Sequence, residues 1–309
     1  MVDSPSLQRA AVVRARGESE RELQRSARRG TLDRIRRGAY VEAEPWRHLP
    51  QERQHLLQIE AADAAALGRP VFSHESAAVI WDVPVIGALP VRPQTIVLPG
   101  SGLRSNRAIV RREATLDPRE VVERGGFRVT DLVRTSIDLA ASRPFLSGVC
   151  AIEHVLFEGR HGVDADAIAE AIARRRPFRG VRRVDATLGF AGAGSASPNE
   201  SLCRVRFDET GFSQPIQQKR YRGIDGSVYP VDFYWEEVDV IGETDGRVKY
   251  EDPRFLDGRT PQQAVWDEKQ REDELRAQCS GFLRLTWHDA WNRAGLIAKL
   301  TRAGIPRVR

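Results

Sequence analysis

Two hydrophobic periodicities take turns along the chain, and together they predict a mixed α/β protein. Apolar residues recur every three or four positions in "QERQHLLQIEAADAAALG", "SGVCAIEHVLFEG" and "DADAIAEAIARRR", which predicts amphipathic helices. Alternating or continuous β-branched and aromatic runs predict strands in "VRPQTIVLPG", "NRAIVRRE", "IQQKRYRG" and "FLRLTW". In "PVFSHESAAVIWDVPVIG" a short strand leads into a helix opened by Ser73, and "FRVTDLVRTSIDLAAS" reads as a strand end and a helix capped near Thr130 or Asp131.

Punctuation divides the chain into three segments. "SPSLQRAAVVRARG" reads as a helix stopped by Gly17, and "ESERELQRSARRG" as a second helix stopped by Gly30. "TLDRIRRGAYV" then alternates apolar and basic residues as a hairpin does. Helix, helix and basic hairpin are the order of a winged helix-turn-helix over residues 1–45. An α/β middle region follows over residues 46–194, ending in the linker-like "GFAGAGSASPNES". Residues 195–309 read α-β-β-β-α-β-α. Ser197 with Glu200 and Thr260 with Gln263 have capping-box spacing, and Pro261 suits a first helical position.

Composition narrows the class. The chain has 309 residues, 41% hydrophobic and 29% charged, with no apolar run long enough for a membrane span. Cys150, Cys203 and Cys279 are far apart and lack metal-ligand spacing, which fits reduced thiols in a cytoplasmic protein. The net charge is +5, and only four of the 48 basic residues are lysines. Residues 1–41 carry ten arginines against five acids. Arg21, Arg25, Arg28 and Arg29 on the second helix and Arg34, Arg36 and Arg37 in the hairpin are candidate contacts to DNA, unless they form a solvated basic face.

The chemistry concentrates in "VDFYWEEVDVIGETDGRVKY". A two-residue connection at Glu236-Glu237 would pair Trp235 with Val238, Phe233 with Val240 and Asp232 with Ile241. Ile241, Glu243 and Asp245 then share a face, with Asp232 diagonal to Glu243, before Asp245-Gly246 turns the chain. Carboxylates so gathered repel one another, and a divalent cation such as Mg²⁺ (or Mn²⁺) relieves the repulsion. The alternative is a solvated face paired with arginines. His74, Glu75, Asp131, Asp138 and His154 show no catalytic spacing.

The order of elements, with "PVDFYW", "ETDGRVKY", "DEKQREDELR" and "FLRLTW", resembles the PD-(D/E)xK nuclease fold, and more closely the very-short-patch-repair endonucleases, over about residues 195–291. The resemblance implies Asp232 and Glu243 as Mg²⁺ ligands and Glu200 as a helix-borne acid that binds through water. Asp245, a further ligand by the same patch, stands where the family often has its lysine. Lys249, Lys269 or Arg271 would then take the lysine's part. "ARRGTLDRIRRGAYV", "FSHESAAVIWDVP" and "VTDLVRTSIDLA" resemble the winged-helix and middle segments of AbiEi-type antitoxins. Two functions follow as expectations. One is a Mg²⁺-dependent DNA endonuclease for phage defence or DNA processing. The other is an antitoxin-like transcriptional regulator with a non-catalytic nuclease fold and a cognate toxin as partner.

Overall fold

The computed structural model describes residues 6–17, 19–157, 160–245 and 260–308, and the chain is mixed α/β. It divides into two units, Met1–Ala151 with Asp166–Val184, and Ile152–Ala165 with Asp185–Arg309. No described helix is long and apolar enough to cross a membrane.

Unit 1 opens with β1 (Gln8–Arg9), α1 (Ala10–Ala15), α2 (Glu20–Arg28), β2 (Leu32–Arg36) and β3 (Ala39–Glu42). The first helix therefore starts later than its sequence suggests. Gln8 and Arg9 instead pair with Tyr40 and Ala39, giving a three-stranded sheet of order β1-β3-β2. Gly17 and Gly30 end the two helices in the left-handed region, as expected of glycine stops. Ala10, Leu23, Leu32 and Tyr40 form a small apolar core that holds helices and hairpin together.

Next come α3 (Ala43–His48), α4 (Gln51–Asp63), β4 (Val71–Phe72), α5 (His74–Trp81), β5 (Gln94–Val97), β6 (Val110–Glu113), β7 (Val121–Arg124), β8 (Phe127–Thr130) and α6 (Leu132–Ser142). Their sheet has order β6-β5-β4-β8-β7. Ile59, Phe72, Ala77, Ile80 and Val129 pack as its core. Asp131 caps α6 by accepting from Arg134 N, as foreseen, whereas Ser73 stands at the α5 cap without a capping bond. The helices α7 (Phe145–Leu156), α8 (Ala165–Arg175) and α9 (Val181–Phe190) run across the unit division.

Unit 2 is built on a mixed sheet of order β12-β11-β10-β9. Its elements are α10 (Pro198–Thr210), β9 (Ile216–Arg222), β10 (Val228–Trp235), β11 (Val240–Thr244), α11 (Pro261–Arg276), β12 (Gly281–Leu285), α12 (Trp287–Trp291) and α13 (Arg293–Arg302). The first three strands are antiparallel, and β12 joins β11 in parallel. Phe233 and Trp235, tilted against each other, both meet Phe207 of α10 edge to face, while Tyr234 and Ile241 pack with Leu275 of α11, so the sheet carries a helix on each face. Ser197 caps α10, and Thr260 with Gln263 completes a capping box on α11. The closing helix breaks in two at Asn292, whose side chain accepts from Gly295 N.

Candidate functional site

The hairpin register differs from the expected one. Trp235 pairs with Val240, Tyr234 with Ile241 and Phe233 with Gly242, across a four-residue turn from Glu236 to Asp239. The cause lies outside the hairpin. Asp239 adopts φ 48° and is anchored by Ser280, whose N and Oγ both donate to its Oδ2 at 2.8 Å, and by the Tyr234 hydroxyl. The shift is two residues, so side chains keep their faces.

The acids therefore still meet. Asp232 Oδ2 accepts from Thr244 N at 2.8 Å and from Thr244 Oγ1 at 2.7 Å, which fixes it beside Glu243. Glu243 is buried, at 6% exposure. Burial and then the neighbouring Asp232 charge push its carboxyl from an ordinary 4.5 up to about 7, against the pull of Arg271. Arg271 of α11 clamps Glu243 with both terminal nitrogens at 3.2 Å and also holds Glu268. Asp245 is half-buried and accepts from Arg284 Nη1 at 2.7 Å, and Arg284 also meets Glu272. Arg284 sits opposite Glu243 in the β11–β12 register.

Glu200 is buried near the start of α10. It accepts from Ser197 Oγ at 2.7 Å, Ala196 N at 2.9 Å and Gln218 Nε2 at 3.3 Å. Gln218 has φ 54°, a left-handed backbone that is uncommon for a side chain of this kind. Burial pushes the Cys203 thiol up, and the charges of Glu200, Asp232 and Asp289 add to the shift. Lys269 is exposed on α11, and Lys249 and the Gly246 turn lie outside the described residues. Lys299, which the sequence did not single out, donates to Asp289 at 2.6 Å.

The expected gathering of Asp232 and Glu243 is present, but the face is not a solvated one, because Glu243 is buried. Asp232 within β10 meets Glu243 at the end of β11, Asp245 follows just beyond it, and Arg271 and Arg284 pair with the latter two. Among the described residues no group of three His, Cys, Asp or Glu side chains is placed to hold a metal ion. Arg284, Glu268 and Gln218 escaped the sequence reading. Glu268 had one signal, the dense charge of "DEKQREDELR", which names a helix face but not its partners, while Gln218 and Arg284 sit in strands that mark no site.

At the other end of the chain, Arg21, Arg25, Arg28, Arg29, Arg34 and Arg37 are exposed. Arg36 is the exception. It is half-buried, its Nε and Nη1 are sheltered from solvent, and burial lowers its pKa.

A scan against protein-family models finds no match, and a search of curated proteins finds none.

Proposed function

We propose that the protein binds DNA through its N-terminal arginines and cleaves phosphodiester bonds at the Asp232–Glu243 end of unit 2, with Mg²⁺ or Mn²⁺ as cofactor. The observation that carries this reading is the coupled carboxylate pair. A buried Glu243 whose charge is opposed by Asp232 is a poor structural residue and a good cation ligand. Two facing carboxylates suit Mg²⁺, which is commonly held by one or two such groups with waters and substrate phosphates completing its shell. Asp232 and Glu243 would hold it. When bound, the ion acidifies water and neutralises charge on the phosphate. The chain's own residues set the stage. Thr244 orients Asp232, Arg271 keeps Glu243 in place, and Arg284 holds Asp245 aside. The element order of unit 2 and the two helices with a basic hairpin in unit 1 support the resemblances to an endonuclease and to a winged helix.

The test is nicking of plasmid DNA. Asp232→Asn and Glu243→Gln should each abolish cleavage while DNA binding and folding persist.

One observation favours the regulator reading. The bidentate Arg271 clamp already satisfies Glu243, as expected if an antitoxin-like regulator has kept the fold without the chemistry. Wild-type protein inert with both metals on duplex, single-stranded and mismatched DNA would establish that reading in place of the first.

A further inference from the structure

A large cavity is lined wholly by residues of unit 1, whereas the carboxylate pair belongs to unit 2. It is a half-open groove of about 1670 Å³ between β6 with its following loop and the α8–α9 connection. Eight arginines line it against five carboxylates. Several of those acids are already neutralised. Arg134, 1% exposed on its side chain, binds Asp138 at 3.0 Å and Glu120 at 2.6 Å, and Arg119 binds Asp117 at 2.7 Å. The groove therefore presents positive charge, much of it on the segment Arg174–Arg179, where Arg174 meets the exposed Glu170 at 3.6 Å.

That segment is built for display. Arg174, Arg176 and Arg179 are exposed, while Phe178 between them is half-buried. The Arg175 guanidinium lies 4.7 Å from the Phe178 ring centroid and donates to Asp138 at 2.9 Å. Its Nη1 is sheltered and, among the described residues, has no hydrogen-bond partner. The turn that follows Arg179 depends on glycine. A Cβ on Gly180, at φ 89°, would stand 2.5 Å from the Ala141 carbonyl oxygen. His74, at the same groove, has φ 54° and lies 3.9 Å from Asp138.

We propose that this groove holds a single strand of nucleic acid, with phosphates on the arginines and a base against Phe178. Guanidinium forks match phosphate geometry, and an aromatic ring among cations is the usual platform for unpaired bases. The volume exceeds the roughly 300–1,000 Å³ of small-ligand pockets. Its equivalent cube, roughly 12 Å on edge, is no wider than the major groove of one duplex, about 12 Å. An extended single strand fits where a duplex does not. The proposal is independent of cleavage at Asp232 and Glu243.

The experiment measures anisotropy of a labelled single-stranded deoxyoligonucleotide against salt, with EDTA present. It uses the full chain carrying Arg34→Ala and Arg37→Ala, which removes the hairpin contribution. Adding Arg174→Ala, Arg176→Ala and Arg179→Ala should weaken binding at least about tenfold and lower the log–log salt slope by about two, at about 0.7 per lost phosphate. Phe178→Ala should cost about tenfold with the slope unchanged, since stacking releases no counterions. An unchanged affinity and slope in the triple variant, with its melting temperature intact, overturns the proposal. Displacement of the strand by polyglutamate at equal charge concentration also overturns it, in favour of an acidic peptide.

Discussion

Glu243 is the residue on which the C-terminal unit turns, and its protonation gives a direct test. Its folded pKa of about 7 lies above the ordinary 4.5, so the folded state holds a proton that the unfolded chain releases. Stability therefore falls as pH rises from about 4.5 to 7, and the penalty is fully present above that window. Its size is on the order of 3 kcal/mol. Glu243→Gln removes the penalty. The variant should gain in melting temperature relative to wild type at pH 8 and show a smaller gain, or a loss, at pH 5. A pH-independent difference would mean that Glu243 is not held near 7. Added Mg²⁺ should stabilise wild type, but not the variant, at pH 8 if the carboxylate pair binds the ion.

At the scale of elements, the β10–β11 hairpin is positioned by a glycine as well as by its acids. A Cβ on Gly242 would stand 2.8 Å from Trp235 Cζ3 and 3.2 Å from Phe233 Cβ, inside the aromatic cluster that seats α10. Gly242→Ala should cost about 1–3 kcal/mol in urea unfolding, with an unchanged m-value. Local elements were legible in the sequence because their signals are local. Ser197, Thr260 and Asp131 cap helices, and Gly17 and Gly30 end them, through bonds within a few residues. The turn at Glu236–Asp239 was not legible, because Ser280, 41 residues away, holds Asp239 in its left-handed conformation. For the same reason β1 was hidden. Gln8 and Arg9 become a strand only because β3 lies beside them. The strand β7, "VVER", is half polar, and only its pairing with β8 makes it a strand.

For the whole molecule, charge is the property the sequence conveyed best in amount and least well in placement. The arginine excess of residues 1–41 was plain, yet Arg36 turns inward while Arg34 and Arg37 stay in solvent. Arg34→Ala with Arg37→Ala should lower the salt slope of duplex binding by about two units, at about 0.9 per phosphate. Arg36→Ala should act on stability and leave the slope in place, which a parallel salt titration and thermal melt distinguishes. The site itself was half legible. Strand alternation brings Asp232 and Glu243 together even with the register misjudged by two. Their arginine partners come from α11 and β12, whose proximity no spacing reveals.

The parallel pairing of β11 with β12 has a consequence for how unit 2 assembles. The β9–β11 meander can form from neighbouring residues, but its acids gain their counterions only across long loops. Arg271 is 28 residues from Glu243, and Arg284 is 39 from Asp245. Closing such loops is slow compared with forming a hairpin. Until the crossover docks, the meander is a nucleus burdened with uncompensated like charge. Protonation lightens that burden. Refolding of this unit, followed by tryptophan fluorescence after dilution from urea, should therefore quicken as pH is lowered from 8 towards 6. In the Glu243→Gln chain the same rate should be nearly flat with pH.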